Sequence, residues 1–349
     1  MEYRQLGNSN IEVSLICLGT MTWGEQNTLE EGFEQMDYAL EQGINFFDTA
    51  EMYAVPPRAE TYGRTEEIIG EWFQSRKTRD RVILASKVAG KTSMDWVRGG
   101  KNQLDRANIT EALDNSLQRL QTDYIDLYQL HWPDRPNNRF GKLGFNLSPD
   151  ELPPKEVEKM HEILTVLGDF VEAGKIRTVG LSNESPWGVM TYLHLAEKYS
   201  LPRMVSVQNA YNLVNRKFEI GLSEVAVWEN CGLLAYSPLA GGTLTGKYIG
   251  GNIPPGSRRS LDSRSSRYDN PRTESATKAY LEVAKRHNLD PSQMALAFVN
   301  QQPFVTSNII GATSMEQLKT NIGAINLKLS EEALKDIEAV HNDNPNPAP

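Results

Sequence analysis

Gly43-Ile-Asn-Phe-Phe-Asp48-Thr-Ala-Glu-Met-Tyr53 passes from an apolar run, Asn45-Phe47, straight into a carboxylate and then a phenol. The same switch recurs twice downstream, where Val82-Ser86 is followed by Lys87 and Ile125-Leu130 by His131. Short apolar runs set between amphipathic stretches read as strands of a buried parallel sheet. Eight such runs succeed one another along the chain: Leu15-Leu18, Asn45-Phe47, Val82-Ser86, Ile125-Leu130, Ile176-Leu181, Met204-Gln208, Leu233-Tyr236 and Asn308-Ile310. Nearly all are followed at once by a small or polar residue. In a closed barrel those positions converge on one rim, where such folds carry their chemistry. An open doubly wound sheet would also bind ligands beyond its strand ends. The strand count favours the barrel, so the predicted class is α/β, a (β/α)8 TIM barrel over residues 1–349 as one domain.

The helices fit between the strands. Asn108 with Glu111 marks a helix start, followed by Leu113, Leu117 and Leu120 on one face. Thr65 opens another helix, with Ile68, Ile69, Trp72 and Phe73 sharing a face. Residues 156–173 carry an apolar stripe and end at Gly174, a usual helix stop. Three segments fall outside the alternation. Tyr3-Leu6 and Ile11-Val13, joined by Gly7-Asn-Ser-Asn10, predict a hairpin across the lower mouth. Residues 133–154, rich in Pro, Asn, Arg and Phe, are too long for a connector and predict a substrate loop. Residues 239–272 are rich in Gly, Arg and Ser. The tail Asn342-Pro349 predicts a frayed or surface-draped end.

Composition removes several classes of function. With 349 residues, 39% of them hydrophobic, the chain can bury a large core. No run approaches the roughly 20 apolar residues of a membrane span, and the start lacks the pattern of a signal peptide. A formal charge of −9 disfavours a nucleic-acid partner. Cys17 and Cys231 lie in apolar settings and read as core residues. The five histidines, His131, His161, His194, His287 and His341, form no H-x-H or H-x3-H pair, so no metal site is expected; His194 and His287 read as helix-face residues. These features predict a cytoplasmic protein acting on small molecules, of unassigned oligomeric state.

Tyr53, Lys87, Asp48 and His131, delivered from successive strand ends, describe a proton-transfer site. Carbonyl reduction needs such a site, because hydride addition leaves negative charge on oxygen. A phenol near pKa 10 is a weak acid, and a cation that stabilises its phenolate improves it. The strings around these residues, with Leu84-Ala-Ser-Lys87 and Asp126-Leu-Tyr-Gln-Leu-His131-Trp-Pro, resemble the aldo-keto reductases. Gly19-Thr-Met-Thr-Trp-Gly-Glu-Gln, Ala50-Glu-Met-Tyr-Ala-Val-Pro-Pro-Arg and Phe140-Gly-Lys-Leu-Gly are nearest the bacterial Tas-type members of that family. The resemblance, which covers residues 3 to about 340, implies Tyr53 as general acid, Lys87 and Asp48 as its modulators and His131 as the group orienting the carbonyl. It also implies NADPH-dependent reduction of aldehydes or ketones to alcohols.

No side chain donates hydride, so a carrier is required. No Gly-x-Gly-x-x-Gly follows the first strand, which argues against a Rossmann site. Ser182, Asn183 and Gln208 offer groups suited to a carboxamide, and Tyr236 a flat face for a nicotinamide ring. By resemblance these four contact the nicotinamide end of NADPH (NADP+), with Gly19, Thr20, Met21 and Asp48 close by. Ser237-Pro238-Leu239-Ala-Gly241-Gly-Thr-Leu-Thr-Gly-Lys247 looks like the family's pyrophosphate loop. Gly241 to Lys247 also satisfies Gly-x4-Gly-Lys, but Tyr248 stands where a P-loop needs Ser or Thr. Gly311, Thr313, Gln317 and Asn321 resemble the adenosine-phosphate motif, and a helix beginning there would present its positive end to an anion. A plain Ser314-x-x-Gln317 capping box is the local alternative. Lys247 and Arg258 resemble phosphate-reaching positions of β-subunit-like members and favour NADPH over NADH; Arg259 adjoins. Trp23, Tyr53, Trp96, His131 and Trp132 are the expected substrate pocket, with Met52 nearby. The other class of function this pattern admits is an NADPH-binding regulatory or redox-sensing protein with slow turnover.

Overall fold

The computed structural model of the chain describes residues 1–100, 102–142, 144–262 and 267–349. Leu143, in the Phe140-Gly-Lys-Leu-Gly string, and residues 263–266, in the Gly/Arg/Ser-rich stretch, lie outside the described residues.

A hairpin of β1 (Tyr3–Gln5) and β2 (Glu12–Ser14) precedes the barrel. The barrel strands are β3 (Ile16–Gly19), β4 (Phe46–Asp48), β5 (Ile83–Val88), β6 (Ile125–Leu130), β7 (Ile176–Ser182), β8 (Met204–Ala210), β9 (Gly232–Tyr236) and β10 (Val305–Ile310). They pair in chain order, and β10 closes on β3 in parallel through Ile309 and Cys17. All eight predicted runs are strands of the closed sheet. Their ends differ by a residue or several, and the difference bears on the site. Lys87 lies within β5 rather than beyond it, and Asn45 precedes β4.

The outer layer is α1 (Leu29–Glu41), α2 (Arg64–Arg76), α3 (Arg106–Leu120), α4 (Glu156–Glu172), α5 (Pro186–Tyr199), α6 (Leu222–Trp228), α7 (Arg258–Leu261), α8 (Pro271–Arg286), α9 (Pro291–Asn300), α10 (Met315–Gly323) and α11 (Glu331–Asp343). Side-chain caps start most of the long ones. Thr28 and Glu31 form a full capping box on α1. The start of α3 is set by Asp105, whose carboxylate accepts from the Asn108 N–H, so Asn108 is the third helical residue and not the cap. Helix α2 opens one residue before Thr65, after Gly63 in the left-handed region. His194 faces outward on α5, while His287 ends α8 and its Nε2 meets Asp336 at 2.8 Å.

Two packed regions build the body of the barrel. The larger lies between the outer sheet face and the helices and includes Trp72, Leu113, Leu164, Phe298 and Ile337. The smaller fills the barrel, where Phe46, Ala85, Leu127, Val205, Leu234 and Ile309 meet Leu6, Ile11 and Val13 of the hairpin. The hairpin therefore closes the N-terminal mouth and leaves only the C-terminal rim open. Cys17 and Cys231 are buried free thiols; burial raises both, Cys231 to about 12. Among the described residues no helix is long and apolar enough to cross a membrane, and no cluster of metal-ligating side chains occurs.

The tail differs from expectation. The Ala348 N–H donates to the Val214 carbonyl, Asn346 Oδ1 accepts from the Arg216 N–H, and Ala348 is fully buried. Docking satisfies backbone groups that a frayed end would leave to water.

Candidate active site

Four elements supply the centre. Asp48 ends β4, Lys87 comes from β5, His131 follows β6, and Tyr53 sits in the loop after β4. Lys87 is fully buried and uses all three ammonium donors. They go to Asp48 Oδ2 at 2.7 Å, the Thr49 carbonyl at 2.7 Å and Tyr53 Oη at 3.4 Å. Asp48 Oδ1 accepts from Gln208 Nε2 at 2.8 Å and Gln129 Nε2 at 3.3 Å. The carboxylate is thus fixed from both sides, and with it the direction in which Lys87 points.

The electrostatics follow from burial. Asp48 and Tyr53 hold the Lys87 ammonium above its usual range although burial opposes them. Burial, and then Lys87, push His131 well below the usual imidazole range, so its ring is neutral. The ring packs edge-on to Tyr53 with centroids 5.9 Å apart, and its buried Nδ1 has no hydrogen-bond partner among the described residues. Tyr53 departs from the simple expectation. Its phenol is raised, because burial outweighs the lowering by Lys87. The ammonium holds the phenol below what burial alone would set, but does not bring it under its ordinary value.

The predicted cofactor residues gather on the same rim. Ser182 Oγ donates to the Gln208 carbonyl, and Asn183 Nδ2 donates to the His131 carbonyl at 2.9 Å. Tyr236 Oη donates to Asn183 Oδ1 at 2.7 Å. Gln208 Nε2 is turned inward onto Asp48. Gly19 ends β3, Thr20 is buried with Oγ1 donating to the Asp48 carbonyl, and the Met21 carbonyl accepts from the Val55 N–H. After β9 the chain turns through Ser237 and Gly241, both at positive φ, past Pro238 and Leu239 to the half-buried Lys247. Lys247 makes no ion pair among the described residues. Arg258 lies 3.5 Å from Asp262 and is near enough to Tyr53 to lower its phenol. Arg259 is committed to Asp269 at 2.9 Å and to the Tyr268 carbonyl. Both arginines are therefore engaged by carboxylates of this loop.

After β10, Gly311 has open space around its Cα and Asn321 Nδ2 donates to the Gly311 carbonyl. Helix α10 is capped by Ser314, whose Oγ accepts from the Gln317 N–H. The box is not a simple one, because Gln317 Oε1 reaches back past Ser314 to the Thr313 N–H at 3.0 Å. That organises Thr313 and Gln317 together at the positive end of a helix.

The expected pocket needs correction. Trp23 is fully buried, with Nε1 donating to Gln35 Oε1, and cannot line a cavity. Trp96 stacks edge-on to Tyr62 and, with Trp132, Met52 and Tyr53, forms an apolar cluster at the rim. The large cavity lies on the other side, about 990 Å³, bounded by Tyr236, Asn183, Trp187 and the 133–154 loop. Residues of the 133–154 segment thus line the cavity, while Trp23 does not. Several contributors carried no usable sequence signal: Gln129 against Asp48, Arg267 hydrogen-bonded to Tyr236, and Pro349 on the cavity wall.

Comparison with known proteins agrees with this architecture. The model of the aldo/keto reductase family matches residues 15–342. Protein tas of Escherichia coli (strain K12) is 53% identical over 350 residues, spanning 100% of both chains. The uncharacterized oxidoreductase YrpG of Bacillus subtilis (strain 168) is 34% identical, spanning 96% of this chain and 94% of its own. The aldo-keto reductase YhdN of the same organism is 32% identical over 97% and 93% of the two. With the family match running through the whole barrel and relatives this similar along their full lengths, the chain belongs to the aldo/keto reductase family and is an oxidoreductase of that family.

Proposed function

We propose that the protein reduces aldehydes or ketones to alcohols with NADPH, using Tyr53 as general acid. One observation carries the reading: a half-buried phenol within 3.4 Å of a buried ammonium, at the open mouth of the barrel and beside a neutral histidine. The rim groups suit a dinucleotide. Asn183 and Ser182 flank the Tyr236 ring, Lys247 has no carboxylate partner among the described residues, and α10 presents its N-terminus beside Thr313. Lys247 and Arg258 together favour a 2′-phosphate over a free 2′-hydroxyl. When bound, the cofactor supplies hydride to the carbonyl carbon.

The chain's own residues do the rest. His131, whose ring is neutral, donates a hydrogen bond that orients the carbonyl oxygen. Tyr53 Oη delivers the proton as charge builds on that oxygen, and Lys87 stabilises the phenolate left behind. Asp48 keeps Lys87 aimed at Tyr53. Solvent then returns the proton to Tyr53. NADPH oxidation across a panel of aldehydes and ketones tests the reading. Tyr53→Phe should lower kcat by about 10²–10⁴-fold while leaving NADPH binding, read by fluorescence titration, within about twofold. Full activity in that variant would remove Tyr53 from the role. Oxidation of bound NADPH in a single cycle without steady-state turnover, in the parent protein, would mark a cofactor-sensing protein instead.

A further inference from the structure

We propose that the rim cavity beside Tyr236 takes the body of a carbonyl substrate that is bulky, apolar and anionic at the end remote from the carbonyl; this rests on the reductase reading above. At about 990 Å³ the cavity is at the upper end of small-molecule sites and far larger than a short aldehyde needs. Phe140, Phe145, Leu147, Leu152, Trp187 and Ile220 give it an apolar wall. Its wall reaches the catalytic residues at Asn183, which accepts from Tyr236 and donates to the His131 carbonyl.

The charges on that wall do not cancel. Arg139, Lys217 and Arg267 all line it. Among the described residues Arg139 donates to neutral oxygens, those of Pro133, Arg135 and Asn137. The Lys217 ammonium is 3.5 Å from the Lys142 carbonyl, and Arg267 is held by the hydroxyls of Tyr236 and Tyr268. Of the wall's carboxylates, Glu184 is paired with Arg135 and Glu158 with Lys155. Glu156 is half-buried, burial raises it, and it makes no ion pair among the described residues. Burial and the neighbouring Arg267 push Lys217 below the usual lysine range. An anion between these cations relieves that repulsion and, shielded from bulk water, is attracted more strongly than at an open surface. An uncharged substrate would fill the apolar wall and leave the cations facing one another.

The test compares 2-naphthaldehyde with 6-formyl-2-naphthoate, using the full chain with NADPH, and 4-nitrobenzaldehyde as an activated control. The carboxylate should show kcat/KM about tenfold higher at low salt, consistent with one charge-assisted contact. That preference should shrink to about threefold or less in Lys217→Gln and in Arg139→Gln, return in Lys217→Arg, and weaken with added salt. Equal or better use of the neutral aldehyde overturns the inference while leaving the reductase reading intact, as does a preference that persists in the Lys217→Gln/Arg139→Gln double variant. If none of the three aldehydes is turned over, the reductase reading fails by itself. The cavity is then judged by anisotropy titration with 2-naphthoate against 2-naphthalenemethanol: tighter binding of the anion upholds the assignment, and equal binding overturns it.

Discussion

Lys87 keeps its ammonium out of water, which is tolerable only because three acceptors surround it. Its folded pKa is raised, so its contribution to stability is complete below the unfolded value of about 10.4 and is lost as pH rises through the folded one. His131 behaves in the opposite sense. Its folded pKa is held well below the ordinary value, while an unfolded histidine protonates near pH 6.5. The unfolded chain therefore binds the extra proton, and stability falls as pH drops below about 6.5 toward the folded value. Between pH 7.5 and 5.5, urea unfolding of the parent should lose about 1 kcal/mol more than that of His131→Gln. Parallel curves for the two would show that His131 is not the group responsible. The four central residues were legible because each follows or ends an apolar run. Gln129 was not, because whether a residue within a strand faces into the barrel depends on register, and register is a property of the closed sheet.

Among the elements, the α2–α3 contact gives the clearest case of close packing. Gly70 sits inside α2, where glycine alone costs about 1 kcal/mol relative to alanine. A Cβ there would come within 2.2 Å of the Arg119 carbonyl oxygen in the facing helix. The clash should win, so Gly70→Ala is expected to destabilise the fold by about 1–3 kcal/mol in denaturant titration. Unchanged or higher stability would mean that the helices separate at little cost. The start of α3 illustrates what local patterns leave open. Asn108 and Glu111 imitate a capping box, but Asp105, three residues earlier, also has the right chemistry. Only backbone conformation chooses between them, since a cap must itself be non-helical and Asp105 is extended. Likewise Ser314 caps α10 as the local pattern suggests, while the reach of Gln317 to Thr313 depends on how the loop after β10 enters the helix.

For the molecule as a whole, the hairpin plug is the test of closure. Leu6 is fully buried in the barrel's interior cluster, to which seven strands contribute, so Leu6→Ala should cost about 2–5 kcal/mol. A loss below about 1 kcal/mol would show that the hairpin lies loosely on the barrel. The number of strands, their parallel order and the polarity of the rim could all be read from residue order, because a hydrophobic run of strand length must be buried wherever it lies. The side on which the cavity opens could not. Trp23 and Trp187 are both tryptophans in loop-like or helix-starting sequence, yet one is sealed in the core and the other lines the cavity. The docked tail, the Glu184–Arg135 pair and Arg267 against Tyr236 join segments far apart in the chain, by 130 residues for Asn346 and Arg216. Side-chain chemistry is local and can be recognised residue by residue; which groups confront one another is set by packing, and packing exists only after the barrel has closed.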